Sequence, residues 1–192
     1  MFWLVILLFL LPVIASDNSN DFIRKLCKNV DDSKYCYTLY SPYANFIRKH
    51  TAKFVEIGVS VTLTEAQDTL THMKNMSLQM KNSRQADPKI DHRITHAFKA
   101  CVRKFDDVLD NLKSSDKIMD NLGRGKTLKS QLPDVHVHMR AALKSEEDCL
   151  DEFKQVKDTL PTKLDMSSRI LEVQNFTKYA LAFVDNYKKT LK

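Results

Sequence analysis

Four cysteines are the residues of this chain best suited to chemistry, and the chemistry that they predict is disulfide formation. Cys27 and Cys36 enclose eight residues, whereas Cys101 and Cys149 lie far apart. An even number of cysteines in a secreted chain indicates a disulfide framework. Four cysteines allow three pairings, and spacing alone does not choose among them. The short first interval favours a local Cys27–Cys36 bridge, which leaves Cys101 to bond Cys149.

The histidines do not complete a metal site. His92 and His96 lie four residues apart, so one helix face could present both as zinc ligands. No third ligand follows at a fixed spacing, and we therefore expect surface histidines and no metal. His136 and His138 lie close to Asp134. Histidine as a residue type can change charge between about pH 5 and 8, so the two are either an exposed pair or a pH-sensitive contact with a partner.

Catalytic motifs are missing from the sequence. It has no Gly-x-Ser-x-Gly turn, no glycine-rich phosphate loop and no His-Glu-x-x-His helix. Adjacent carboxylates, such as Asp106 with Asp107 or Glu146 with Glu147, point apart on a helix and are expected to be solvated charges. We therefore expect a protein that is not an enzyme and that needs no cofactor.

The first fifteen residues are typical of a secretory signal. Phe2 to Leu11 form an apolar run too short to span a bilayer, and small residues precede a cleavage point after Ala15. No later stretch is apolar enough to cross a membrane, so residues 16–192 are expected to form one secreted domain. The net charge of +6 suits an acidic partner. A cluster of five basic residues lacks the interleaved aromatic residues typical of nucleic-acid binding, so no nucleic-acid partner is expected. The cluster consists of Lys113, Lys117, Arg124, Lys126 and Lys129.

The positioning elements are expected to be helices. Apolar residues recur at helical spacing through most of the domain, and glycine is too scarce for a turn-rich β fold. Residues 16–43 are expected to form a helical hairpin whose second helix is capped by Ser33. Residues 44–192 are expected to form an antiparallel four-helix bundle. The predicted fold class is therefore all-α, with two disulfides.

Turn residues and apolar seams give the predicted bounds of the bundle helices. The predicted seam of the second bundle helix consists of Ile94, Phe98, Cys101, Phe105, Val108 and Leu112, and Cys149 lies on the predicted seam of the third. Polar composition and two glycines predict a long loop between the second and third helices, and Pro161 is expected to end the third. The predicted segments are a helix from about Ala44 to Met80, a helix from Lys89 to Leu112, a loop from Lys113 to Leu132, a helix from Pro133 to Leu160 and a helix capped by Asp165 or Ser167.

Three stretches follow one another in an order typical of a known family. The first, FIRKLCKNVDDSKYCYTLY, resembles an opening hairpin with paired cysteines. The second, ITHAFKACVRKFDDVLDNLKSS, and the third, DVHVHMRAALKSEEDCLDEF, resemble the second and third helices of a bundle. Together they are similar to the plant invertase and pectin methylesterase inhibitors, and the resemblance covers essentially the whole mature chain.

This resemblance implies a disulfide-braced bundle that blocks an enzyme without catalysis. The implied bridges are Cys27–Cys36 and Cys101–Cys149. The implied location is the cell wall, with the vacuole as the alternative, and the implied partner is a plant pectin methylesterase or an acid invertase. Pectin methylesterase inhibitors cover the substrate cleft of the enzyme with later helices of the bundle. The residues expected to contact the target here are Lys113, Lys117, Asp134, His136, Arg140, Lys144, Glu147 and Asp148.

The choice between the two targets depends on short motifs. An Ala-Ala-Leu run before Cys149, followed by Leu-Asp-Glu-Phe, favours pectin methylesterase. Pectin methylesterase inhibitors commonly have threonine directly before the fourth cysteine, and Trp-x-Ser usually precedes Ala-Ala-Leu. This chain has Asp148 and His138-Met139-Arg140 at these places, and both changes count against that target. Invertase inhibitors often carry Pro-Lys-Phe between the second and third bundle helices, where this chain offers only Asp116-Lys117-Ile118. We expect pectin methylesterase as the target, with acid invertase as the alternative.

Two further expectations concern glycans and small ligands. Asn75-Met-Ser77 and Asn175-Phe-Thr177 are glycosylation sequons, so Asn75 and Asn175 are the predicted glycan sites. A more remote alternative function is a secreted small-ligand carrier. It would require a cavity in the bundle core, and the Phe, Met, Val and Leu residues of the seams are expected to fill that space.

Overall fold

A computed structural model describes residues 18–86, 92–122, 128–156 and 161–191, which are mainly helical and contain no strand. The predicted signal segment, residues 1–15, lies outside this part of the chain. In chain order the helices are α1 (residues 18–27), α2 (Ser33–Tyr40), α3 (Ala44–Ile47), α4 (Thr51–Ala86), α5 (His92–Asp120), α6 (Leu128–Glu152) and α7 (Pro161–Thr190). Short 3-10 turns follow α2 at Ser41–Tyr43 and α6 at Phe153–Gln155.

The four long helices form a closed antiparallel bundle. α5 packs against α4 and α6, and α7 packs against both α6 and α4. The Cys101–Cys149 disulfide and a hydrogen bond between Asn111 and His138 both join α5 to α6. From the disulfide to the hydrogen bond, the residue number rises from 101 to 111 on α5 and falls from 149 to 138 on α6. The two helices therefore run in opposite directions. The all-α bundle with an N-terminal hairpin and two disulfides is therefore confirmed.

The predicted seams form the core of the bundle. Each seam position recurs every three or four residues, so one side of each helix turns away from water. On α5 all six predicted positions are buried, namely Ile94, Phe98, Cys101, Phe105, Val108 and Leu112. The other long helices bury theirs in the same way, from Val55 to Met73 on α4 and from Ile170 to Tyr187 on α7. Large side chains fill the core, which does not favour the small-ligand carrier.

The hairpin formed by α1 and α2 has a different cap from the predicted one. Asp32 caps α2, because its Oδ1 accepts a hydrogen bond from the Tyr35 amide at 2.8 Å. Ser33 is instead the first helical residue, and the prediction of a serine cap was wrong. Cys27 and Cys36 are both fully buried and bonded to each other, with their Cα atoms 5.7 Å apart.

Aromatic packing attaches the hairpin to the bundle. The ring of Tyr40 lies 5.3 Å from that of Phe54 on α4 and 5.2 Å from that of Phe183 on α7. Phe54 and Phe183 are themselves 4.2 Å apart between ring centroids. A Cβ atom at Gly58 would lie 3.1 Å from the Phe183 ring. The glycine therefore lets α4 and α7 approach closely at this aromatic cluster.

The first bundle helix begins later than predicted. α4 starts at Thr51, because Arg48 (φ 42°) and Lys49 (φ 63°) adopt left-handed backbone conformations that end α3. Its last residue is Ala86, beyond the predicted end at Met80. Neither basic residue is a type that favours this conformation, so the break could not be predicted from the residue types.

The long loop predicted for residues 113–132 was wrong. α5 continues to Asp120, because Ser115 and Met119 are buried and extend its seam. α6 begins at Leu128 and contains Pro133, which was expected at its start. Pro133 is exposed, so its ring faces solvent while the helix forgoes one backbone hydrogen bond. Residues 123–127, with both glycines, lie outside the described part.

The last helix begins earlier than predicted. Pro161 is the first residue of α7, a position where the missing N–H has no helical partner to lose. The prediction that Pro161 ends the third bundle helix was therefore wrong, and α6 ends at Glu152. The predicted caps Asp165 and Ser167 both lie inside the helix. The Asp165 carboxylate contacts His72 of α4 at 2.7 Å and Arg169 at 3.3 Å. Asp165 thus links α4 to α7.

Glu146 is a buried carboxyl group in the bundle core, so the prediction that it is a solvated charge was wrong. Its side chain has no solvent exposure, and its Oε1 lies 2.7 Å from the Thr177 hydroxyl, which lies 3.0 Å from the Val173 carbonyl oxygen. Burial raises the pKa of Glu146 to about 8, against the lowering effect of Thr177 and Lys178. The protonated carboxyl can donate to Thr177, and the Thr177 hydroxyl can then donate to Val173.

Candidate functional site

The candidate site is built around the disulfide that joins α5 to α6. Cys101 and Cys149 are fully buried, and their Cα atoms lie 4.6 Å apart. The bridge fixes the register of the two helices that carry all eight of the residues expected to contact a target. Side chains within about one turn of either cysteine are therefore held at defined positions.

Asp148, directly before the fourth cysteine, forms the charged centre of this region. Its carboxylate accepts from Lys144 Nζ at 2.6 Å on the same helix and from Lys104 Nζ of α5 at 3.4 Å. The Lys144 contact, followed by the Lys104 contact, keeps the pKa of the Asp148 carboxyl below its usual value. The same bond raises the pKa of Lys144. A charged pair with a second cation thus occupies the position directly before the fourth cysteine.

Sequence reasoning missed two residues of this region. Lys104 contacts Asp148 as described, and Asn111 Oδ1 lies 3.1 Å from His138 Nδ1. We define the α5–α6 surface as Lys104 and Asp148, Asn111 and His138, together with Lys144. The antiparallel register set by Cys101–Cys149 places Lys104 opposite Asp148, so the predicted disulfide was the signal that could have found it.

Three of the predicted residues lie along the other edge of α6, the edge next to α7. His136 Nε2 lies 3.4 Å from the Asp185 carboxylate of α7. Arg140 and Glu147 follow His136 by one and three turns, so all three share this edge. Both Arg140 and Glu147 are exposed. We call these three residues the α6–α7 stripe.

Lys113 and Lys117 are separated from the other predicted residues. They lie two and three turns after Asp106 on one side of α5, and the Asp106 carboxylate accepts from Lys74 of α4 at 3.0 Å. This is the α4 side of α5, away from α6. The eight predicted residues therefore do not form one patch: six of them lie on α6, where Asp134 is also exposed, and two lie beyond α5.

The predicted histidine pair on α5 forms no metal cluster. Within the described residues no group of three or more His, Cys, Asp or Glu side chains could hold a metal ion. His96 is highly exposed and lies 3.9 Å from the Glu152 carboxylate of α6.

None of the described helices is both long and apolar enough to cross a membrane.

The two sequon asparagines are exposed. Asn75 lies on α4 and Asn175 on α7. The hydroxyl residue of the second sequon, Thr177, is fully buried against Glu146, while the asparagine itself faces solvent. Both asparagines remain predicted glycan sites.

Comparison with known proteins places this bundle in a family. The sequence model of plant invertase/pectin methylesterase inhibitors matches residues 21–183. The chain belongs to this family. The resemblance drawn from the three sequence stretches is thereby confirmed. The match includes the hairpin, both disulfides and the length of α5 and α6.

Relatives of this chain include proteins named as pectinesterase inhibitors. Pectinesterase inhibitor 10 of Arabidopsis thaliana is 28% identical over 179 residues, which is 92% of this chain and 54% of that protein. This chain therefore spans about half the length of that relative. The 21 kDa protein of Daucus carota is 26% identical, covering 94% of this chain and 91% of its own length. Pectinesterase inhibitor 6 of Arabidopsis thaliana is also 26% identical, over 87% of this chain and 79% of its own.

Solved structures share the fold. A crystal structure of a mutant form of a pectin methylesterase inhibitor from Arabidopsis superposes with a TM-score of 0.63 at 16% identity, covering 83% of this chain and 92% of that one. A second crystal structure of an inhibitor from Arabidopsis thaliana gives a TM-score of 0.56 at 15% identity, over 85% and 93% of the two chains.

Proposed function

We propose that this protein is a secreted inhibitor of a plant pectin methylesterase, that it has no catalytic activity, and that it occludes the substrate cleft of the enzyme. The observation that carries the proposal is the family match over residues 21–183, together with relatives named as pectinesterase inhibitors. The sequence departs from common family motifs at Asp148 and before Ala-Ala-Leu, so acid invertase is the alternative target to be tested beside the esterase.

The braced bundle supports occlusion as the mechanism. The disulfide between α5 and α6 and the filled core hold the exposed side of α6 in one arrangement before any partner arrives. A preorganised surface loses little conformational entropy on binding, so more of the contact energy appears as affinity. No bond is made or broken in the target, and inhibition is expected to be reversible.

The contact surface proposed here is the exposed side of α6. It includes the α5–α6 surface at one edge and the α6–α7 stripe at the other, with Asp134 at its beginning. Lys113 and Lys117 lie on the far side of α5 and would reach only a partner that extends across that helix. Their basic charge suits an acidic rim on the target.

Secretion belongs to the same proposal. Cleavage after Ala15 would leave residue 16 as the first residue of the mature protein, and oxidising conditions along the secretory route suit both disulfides. N-terminal sequencing of the protein recovered from the medium of expressing plant cells should begin at Ser16. Retention of residues 1–15 in that material would reject the signal assignment.

Inhibition assays with two enzymes test the target. The oxidised protein is titrated into a purified plant pectin methylesterase and a purified acid invertase, between about pH 5 and 7. We expect loss of esterase activity at equimolar inhibitor and unchanged invertase activity. Loss of invertase activity alone would reverse the choice of target, and full activity of both enzymes would reject the inhibitor function.

Paired substitutions test the surface. The variant Arg140→Ala/Glu147→Ala should weaken inhibition by about tenfold or more, because exposed charges at an interface contribute both to encounter and to affinity. The comparison variant Lys113→Ala/Lys117→Ala should inhibit nearly as well as the unchanged protein. The reverse order of effects would move the contact surface from α6 to the α4 side of α5.

A further inference from the structure

A groove of about 480 Å³ lies where the hairpin meets the bundle, away from α6. The hairpin contributes Tyr35, Leu39 and Tyr43, and α4 and α7 contribute the facing walls. All three hairpin residues are only partly buried, so the groove is open to solvent. It is a concave site with a mixed lining, the type of surface at which small ligands bind.

Part of the groove lining is apolar. Ile57 and Val61 of α4 and Phe176 of α7 line it together with Leu39. The Phe176 ring stacks on that of Tyr35 with a centroid distance of 6.2 Å and an interplanar angle of 25°. Aliphatic and aromatic walls of this kind accept an alkyl chain, and the faces of the rings attract a cation.

Two carboxylates face the same groove. Glu172 accepts a hydrogen bond from the Tyr35 hydroxyl at 2.9 Å through its Oε1. Glu65 lines the groove from α4 and has no hydrogen bond or ion pair with any described residue. Burial, followed by the charges of Glu172 and Asp68, raises the pKa of the Glu65 carboxyl. The negative charge at this point is therefore incompletely balanced within a protein of net charge +6.

The positive charge of Arg169 on α7 acts on Glu65 only through space. Arg169 lowers the pKa of Glu65 through space, which opposes the effect of Asp68 and Glu172. Its Nε, however, lies 3.3 Å from the Asp165 carboxylate one turn earlier on α7. Asp165 in turn contacts His72 of α4. The guanidinium is thus held in a neighbouring cluster and is not part of the groove lining.

We propose that this groove binds a primary ammonium group carried on an aliphatic chain, with the ammonium at Glu65 and Glu172 and the chain along Ile57, Val61 and Phe176. Carboxylates supply charge-assisted hydrogen bonds to the ammonium, and the apolar walls cover the methylene groups. Two sources carry this chemistry, a free aliphatic amine and a lysine side chain of another protein. The proposed ligand site is independent of the inhibitor function, because no residue of α6 lines the groove.

Calorimetric titration of the oxidised protein with hexylamine is the first test. Hexanol has the same chain without the charge, and we expect it to bind at least about tenfold more weakly than hexylamine. The double variant Glu65→Gln/Glu172→Gln keeps the size of both side chains and should also bind hexylamine about tenfold more weakly. The matched control Asp107→Asn/Asp110→Asn removes the same charge from the exposed side of α5 and should bind as the unchanged protein does.

Three results would overturn the proposal. They are no saturable binding of hexylamine by the unchanged protein, equal binding of hexylamine and hexanol, and equal weakening by the groove variant and the α5 control. The last result would mean that only the overall charge matters. The groove variant should also inhibit the target enzyme normally, so a failure of the inhibitor function and a failure of this site can be distinguished.

Two further ligands identify the source of the ammonium. Spermidine represents a free amine, and N-acetyl-lysine methylamide represents a lysine side chain in a peptide. Binding of spermidine with no binding of the lysine derivative would support a free amine, and the opposite result would support a lysine of a partner protein. If hexylamine binds and neither ligand competes with it, both named sources of the ammonium are rejected.

Discussion

Replacing Glu146 by glutamine should stabilise the bundle near neutral pH and flatten the pH dependence of its stability. The carboxyl group is fully buried between α6 and α7, and its pKa is raised to about 8 from 4.5. The folded chain therefore keeps the proton at pH values where the unfolded chain releases it. The contribution of this group to stability is greatest below about pH 4.5 and is lost as pH rises towards 8.

The magnitude follows from the difference between the two pKa values. Each pH unit between them costs about 1.4 kcal/mol, so the free energy of unfolding should fall by on the order of 5 kcal/mol from pH 4.5 to 8 because of Glu146 alone. Glutamine does not ionise, and its amide can still donate to the Thr177 hydroxyl. Near pH 7 Glu146→Gln should therefore be more stable by about 3 kcal/mol, and near pH 4.5 by little.

Urea denaturation of the oxidised proteins at several pH values measures this difference. Other groups also titrate, but the difference between the unchanged protein and the variant isolates the contribution of Glu146. Glu147→Gln is the matched control, because Glu147 is the adjacent residue and is exposed, and it should leave the pH profile unchanged. Parallel profiles for Glu146→Gln and the unchanged protein, or a variant that is less stable at every pH, would refute the argument.

Three further substitutions test how the fold is held. Replacing Cys101 and Cys149 by alanine opens a span of 48 residues and should lower the free energy of unfolding by about 4 kcal/mol; an unchanged urea midpoint would contradict this. Gly58→Ala should destabilise despite the higher helix propensity of alanine, because the new Cβ would meet Phe183 at 3.1 Å; a higher melting temperature would show that the ring can move. Asp32→Ala should cost about 1 kcal/mol by removing the α2 cap, whereas Asp32→Asn should cost less.

The core of the fold could be predicted because it follows directly from periodicity. Every seam position of α5 proposed from spacing is buried. Glu146 is buried too, against the expectation of a solvated charge. The disulfides were predictable for a related reason, since Cys101 and Cys149 both occupy seam positions. Burial of apolar area is the largest stabilising term, so a pattern that optimises it is visible in the sequence.

Helix ends were less predictable because weaker local effects decide them. The polar stretch after Leu112 was predicted as a loop, although Ser115 and Met119 continue the same seam. A proline that faces solvent, Pro133, is tolerated inside α6, and the break before α4 occurs at Arg48 without any glycine. Tertiary packing offsets these local costs, and it is not visible in a short window of sequence.

The target surface was predicted only in part. Positions on the exposed side of α6 could be chosen from helical phase, but phase on α5 does not distinguish the α4 side from the α6 side. Lys113 and Lys117 were therefore grouped with residues that lie across α5 from them. Lys104 was missed because its partnership with Asp148 depends on the register between two helices.

Initial-rate kinetics of pectin methylesterase test the central claim most directly. The rate is measured over a range of pectin concentrations with increasing amounts of the oxidised protein. Occlusion of the substrate cleft predicts that the apparent KM rises with inhibitor while kcat remains constant, because pectin and inhibitor exclude each other. Rates that do not change, or a fall in kcat at constant KM, would contradict the account.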